Sequence, residues 1–169
     1  IHPVLALEER AGKISNRDTI NYFQKKYSHI FGSLVFTIHP QNTPHELAGK
    51  HTNEAYAAKY FKKYCFKKLN LKLANLTLTS CDVDTIFDPH FFSALTYYFA
   101  SYPNRYFRFW QSPIFWHHNI NDVPAPIRIV GILGNIIHIA NIQEPDGLFF
   151  NYSCYSSSYQ LIDQAGYWD

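Results

Sequence analysis

The stretch that most constrains the fold of this 169-residue chain is Leu76–Pro89, LTLTSCDVDTIFDP. Leu76, Thr77, Leu78 and Thr79 are β-prone with apolar residues alternating, and Ser80 and Cys81 are small enough to stay buried. This pattern predicts a central strand that ends in two carboxylates, Asp82 and Asp84, before Pro89 opens a helix. In an open α/β sheet, ligands sit at the carboxyl ends of strands, which is where this pair falls. On extended backbone Asp82 and Asp84 point to one side, because side chains alternate with period two. Two like charges so close repel unless a hard cation lies between them, and Mg²⁺ or Mn²⁺ carrying a diphosphate is the usual solution. The plainer alternative has Asp82 capping a turn and Asp84 solvated.

The segments on either side alternate between strand and helix patterns. Val4–Leu7 is an apolar strand ending in Glu8, Glu9 and Arg10. Asn16 or Asp18 can cap a helix running to about Tyr27, with Ile20, Phe23 and Tyr27 on one face. Ser33–His39 is a second strand, so uniformly apolar that burial on both faces is expected. A helix from about Thr52 to Leu69 carries the stripe Ala55, Ala58, Phe61, Tyr64 and Cys65. Pro89 starts another helix, reaching about Tyr102. Tyr106–Phe115 reads as a strand interrupted by Pro113, at an edge or leaving the sheet. Ile127–Ile142 is apolar on nearly every side, but Arg128, Asn135 and His138 make it a poor membrane span. A buried or membrane-lying helix is expected there. Asp146-Gly147 turns into a last strand, Leu148–Ser153, and a helix over Tyr159–Ala165 is capped by Gly166. The alternation predicts one α/β domain over 1–169, with a mostly parallel, doubly wound sheet.

Composition narrows the function. A net charge of +2 with scattered Lys and Arg gives no nucleic-acid footprint. The one basic cluster, Lys59, Lys62, Lys63, Lys67 and Lys68, falls at helical spacing and reads as a solvated face or one turned towards anionic lipid. Three widely spaced cysteines without C-x-x-C suit reduced cytosolic thiols. No run is long enough to cross a bilayer. Because the chain begins at Ile1 without Met and stops at Asp169 directly after a helix, it is expected to be a piece of something larger.

Gly49-Lys50-His51-Thr52-Asn53 lies at the mouth of a helix, where the macrodipole favours phosphate and a lysine adds a point charge. The P-loop spacing is missing. His117-His118 with Asp122 is a weak metal candidate, since adjacent histidines on a strand face opposite ways. Among Tyr97, Tyr98, Phe107, Phe109, Trp110, Phe115 and Trp116, core packing is expected for most. Trp110 and Trp116 are the best candidates for stacking on a sugar. No Ser or Cys has a His partner at recognisable spacing, so nucleophilic catalysis has no support.

Taken in order, these motifs resemble the cytosolic catalytic domain of membrane-associated family 2 glycosyltransferases, the group containing cellulose and hyaluronan synthases. GKHTN resembles the family's K-x-x-N element, CDVDT its strand-end D-x-D, and FWQSPIF its V-Q-T-P-x-x-F stretch. The segment LFFNYSCYSSSYQLIDQAGYWD resembles the one whose helix ends in G-G-F or G-Y-W. LALEER looks like the strand whose terminal acid reaches the nucleoside, here Glu8 or Glu9. The resemblance implies a GT-A-like, Rossmann-related sheet with helices on both faces, incomplete at both ends. It implies donor binding by Glu8, Lys50, Asn53, Asp82 and Gln111, and Mg²⁺ or Mn²⁺ on Asp84 and Asp82. The partners implied are a UDP- or GDP-sugar and a saccharide or lipid acceptor, at the cytoplasmic face of the inner membrane, held there through segments absent here. The catalytic base is expected beyond Asp169, so the fragment alone is expected to be inactive. The rivals are a haloacid-dehalogenase-like phosphatase, whose nucleophile also lies in a D-x-D, and a catalytically inactive domain that binds a sugar nucleotide or a membrane partner. The isolated acids Asp122, Glu144, Asp146 and Asp163 supply the phosphatase with no paired metal ligand.

Overall fold

The computed structural model describes residues 1–115, 120–143 and 154–168. The predicted strand Leu148–Ser153, its preceding turn, and Trp116, His117, His118, Glu144 and Asp169 lie outside the described residues. The chain forms two compact units, one made of Ile1–Leu76 with Ser158–Asp169, the other of Thr77–Ser157.

In the first unit, β1 (Val4–Glu8) and β2 (Val35–His39) pair in parallel, with Val4 opposite Val35 and Glu8 opposite His39. They are joined through helix α1 (Lys13–Tyr27), the crossover that a parallel pair requires. This helix starts earlier than Asn16. Gly12, at φ 91°, supplies the sharp entry that a side chain would strain. Asn16 is buried instead, and its amide donates to the Glu8 carbonyl at 2.9 Å.

Helix α2 (Lys50–Tyr64) packs against both strands. Its buried stripe, Ala55, Ala57, Ala58 and Phe61 with Cys65 beyond, shares Ala55, Ala58, Phe61 and Cys65 with the predicted one, while Tyr64 is half-buried. After Tyr64 the backbone loosens into a π-helical turn, Cys65–Leu69, which ends at Asn70 in the left-handed region. Strand β2 is not buried on both faces as its composition predicts. Val35, Thr37 and His39 are buried, whereas Ile38 on the opposite face is 41% exposed. A two-stranded sheet covered by α2 shields one face.

Helix α5 (Tyr159–Gln164) also belongs to this unit and packs on the 3-10 turn Leu73–Asn75. Gly166 follows it at φ 88°, with Tyr167 N–H donating to the Ile162 carbonyl and Gly166 N–H to that of Asp163. This is the Schellman arrangement that a glycine after a helix announces.

The second unit holds a three-stranded sheet ordered β3 (Thr77–Ser80), β5 (Tyr155–Ser158), β4 (Phe109–Trp110), with β4 antiparallel to β5. Two sequence expectations change here. The strand before Asp82 is at an edge of its sheet among the described residues, and β5 is the central one. The single mostly parallel sheet gives way to a parallel pair and a separate sheet containing an antiparallel pair, so the α/β class stands and the doubly wound arrangement does not appear.

The expected strand Tyr106–Phe115 shrinks to two residues. Arg105–Phe107 curls into a 3-10 turn on one side, and Pro113, which cannot donate to a ladder, lies on the other. Helix α3 (Phe91–Ser101) buries Leu95 and Phe99, and Phe99 meets Trp110 edge-on at 5.6 Å.

Helix α4 (Ala125–Gln143) has its polarity reversed. His138 is buried and Arg128 and Asn135 are half-buried, while Ile129, Val130, Ile132, Leu133, Ile136 and Ile137 are all exposed. At 100° per residue these six fall on one continuous outward arc. No helix among the described residues is long and apolar enough to cross a membrane.

Candidate functional site

The carboxyl ends of β1 and β2 open on a cavity of about 350 Å³ in the first unit. Glu8, Glu9 and Arg10 line it from β1 and the turn after it, and His39 from the end of β2. Glu46 and Gly49 line it from the loop leading to α2. Parallel strands place ligands at this end because their loops diverge there while helix N-termini converge.

Each acidic side chain is held by one oxygen. Glu8 pairs with Arg10 through Oε2. The Gln41 N–H donates to Glu9 Oε2 at 2.9 Å. His39 Nε2 lies 3.0 Å from Glu46 Oε2, and its ring meets Tyr56 edge-on at 4.8 Å. Because a carboxylate only accepts, Nε2 carries the proton of that bond.

The loop itself is shaped by two non-glycine residues in the left-handed region, Asn42 at φ 60° and His45 at φ 64°. Such conformations cost energy and persist where surrounding contacts fix them. The sequence reading missed His39 and Glu46. The sequence showed only that His39 closes the second strand pattern; the register that puts it level with Glu8 is a property of the fold.

The other predicted residues have different fates. Asn53 belongs to the same unit, but its amide donates to the Ala6 carbonyl at 2.8 Å, tying α2 to β1. Its donor group is therefore used by the fold, and Asn53 Oδ1 is enclosed without a partner among the described residues. Lys50 stands in the first turn of α2, 3.6 Å from Glu54. Thr52 donates between the carbonyls of Leu47 and Gly49.

Asp82, Asp84 and Gln111 belong to the second unit. Asp82 and Asp84 are both exposed, but they do not sit on extended backbone. The Thr85 N–H bonds the Asp82 carbonyl at 3.1 Å, closing a turn that carries a fully exposed Val83. Alternation along a strand therefore cannot be what aligns the two carboxylates.

Among the described residues no three His, Cys, Asp or Glu side chains gather as a metal cluster. Mg²⁺ commonly takes only one or two protein carboxylates and completes its shell with water and phosphate. Gln111 is half-buried, with Nε2 enclosed and unpartnered among the described residues.

The aromatic residues divide against expectation. Trp110 packs on Phe99, whereas Tyr97, Tyr98, Phe107, Phe109 and Phe115 are exposed. No model of a known protein family, no curated protein and no solved structure matches this chain.

Proposed function

We propose that this chain is the donor-binding part of a nucleotide-sugar-dependent glycosyltransferase, similar to the membrane-associated family 2 enzymes and GT-A-like in its nucleotide-binding half. The observation that carries this reading is the cavity at the carboxyl ends of β1 and β2, where Glu8 and Glu9 stand at the position that the sequence resemblance gives to a nucleoside-binding acid.

The parallel β1–α1–β2 unit supports it, since this is the local architecture on which nucleotides bind at strand ends. Lys50 would add positive charge for a diphosphate at the N-terminal end of α2. Asp82 and Asp84 would hold Mg²⁺ or Mn²⁺, which when bound neutralises charge on a departing diphosphate. The parent protein would transfer the sugar to a saccharide or lipid-linked acceptor at the cytoplasmic face of a membrane.

Calorimetry with UDP- and GDP-sugars, with and without Mn²⁺, tests the proposal. One of these donors should bind, and Mn²⁺ should strengthen binding. Asp84→Asn should remove the metal effect without unfolding the chain, and Lys50→Ala should weaken binding by on the order of 1–3 kcal/mol. Absence of binding by both donor classes in the presence of Mn²⁺ would overturn the reading.

A further inference from the structure

We infer that the cavity at the ends of β1 and β2 selects guanine over uracil, so that the donor is a GDP-sugar. This rests on the nucleotide reading above and adds to it the identity of the base. The charged part of the lining is mainly acidic. Three carboxylates, Glu8, Glu9 and Glu46, face one guanidinium, Arg10, giving a formal charge of −3 + 1 = −2 with His39 neutral.

Each carboxylate already holds one donor from its surroundings. Arg10 Nε pairs with Glu8, the Gln41 N–H with Glu9, and His39 Nε2 with Glu46. In each carboxylate the bonded atom is Oε2, and Oε1 has no hydrogen bond among the described residues.

The two bases differ in what they offer such a wall. Guanine presents N1–H and N2–H side by side, two parallel donors that one carboxylate accepts together. Uracil presents a single N3–H between two carbonyl oxygens, and those oxygens would face carboxylate lone pairs. Ribose hydroxyls donate equally from either nucleoside, so the discrimination lies with the base.

Glu46 is the acceptor best placed to read it. His39 holds one of its oxygens, and the His39 ring is buried and packed on Tyr56. The carboxylate is thereby oriented, while its side chain is 38% exposed and lines the cavity. Sites built on hydrogen bonds to a particular group reject analogues that lack it, because the site's own polar atoms are then left unpaired.

The test is calorimetry of the chain with GDP and with UDP, each with Mn²⁺, repeated on Glu46→Gln. Wild type should bind GDP at least roughly tenfold more tightly than UDP, the size expected of a charge-assisted pair of bonds. Glu46→Gln offers one acceptor and one donor, which suits the uracil edge, and should bring the two affinities together or reverse their order. Guanosine should compete better than uridine for the wild-type site, a check that holds even where the variant does not fold.

UDP binding as tightly as GDP would overturn the guanine assignment and leave the nucleotide reading standing. A GDP preference unchanged in a folded Glu46→Gln would overturn the role of Glu46. Binding of neither nucleotide would overturn both readings.

Discussion

Asp163 accepts both contacts of the Lys62 ammonium, at 2.7 and 2.8 Å, and a further bond from the Tyr167 hydroxyl at 2.6 Å. Burial works to raise its carboxyl, but the bonds from Lys62 and Tyr167 outweigh that and hold it below the ordinary value of 3.8. The direction of the stability effect follows from the two states. The unfolded chain binds the proton more readily than the folded one, so the contribution is complete above 3.8 and is lost as pH falls through the lower folded value. Thermal melts between neutral pH and about pH 2 should show wild type losing stability at the acid end. Asp163→Asn should start lower by up to about 1 kcal/mol, as expected for a partly exposed pair, and show a flatter acid limb. Identical acid limbs in the two proteins would remove Asp163 from this role. Tyr167 feels the complementary effect. Its hydroxyl is pushed up by burial first and then by Asp163, so it remains a donor throughout the working pH range.

At the level of elements, α4 is the one whose sequence and environment disagree. Glycines and polar groups, Gly131, Asn135 and His138, turn inward, and a run of isoleucine, valine and leucine turns outward. His138 is buried and bonded to the Ser112 backbone, and burial lowers its pKa against the opposing pull of that bond. Ordinary amphipathic helices do the reverse, because removing aliphatic surface from water is what fixes which face is buried. With their side chains facing water, Leu133→Ser and Ile137→Ser should alter unfolding free energy by no more than about 0.5 kcal/mol. His138→Ala should cost on the order of 2 kcal/mol through a lost buried bond. Urea denaturation of the three variants checks this. A large loss in the serine variants would place those side chains in the core.

For the molecule as a whole, the decisive feature is that the chain returns to its first unit after residue 157. Tyr159 completes that core. Its side chain is 2% exposed, its hydroxyl donates to the Ala58 carbonyl at 2.5 Å, and its N–H bonds the Leu76 carbonyl at 3.0 Å. Its ring also lies beside Phe61, with centroids 6.3 Å apart. The core of the unit that holds the cavity is thus closed by residues more than 100 positions away from its strands. Tyr159→Phe should cost about 1 kcal/mol for the lost hydrogen bond. Tyr159→Ala should cost about 3–5 kcal/mol, the range for emptying a large aromatic site. Both are measurable by denaturant titration, and near-wild-type stability in the alanine variant would show that the returning segment does not support the unit.

Local physical chemistry made part of this legible from the residues alone. A short apolar run marked β1, the spacing of Ala55, Ala58 and Phe61 marked α2, and Gly166 marked the end of α5, because apolar runs, periodicity and turn geometry are properties of neighbouring residues. The carboxylates Glu8 and Glu9 were likewise visible as charges at a strand's end. What depended on distant pairing was not visible. Only tertiary structure decided that β5 rather than β3 is central in its sheet and that Asn53 bonds to β1. The same holds for the pairing of His39 with Glu46, seven positions apart over a segment carrying two left-handed residues, and for the outward face of α4. A sequence states which groups can be buried or bonded. Which of them meet is settled by the competition among segments for partners across the fold, and that competition is non-local.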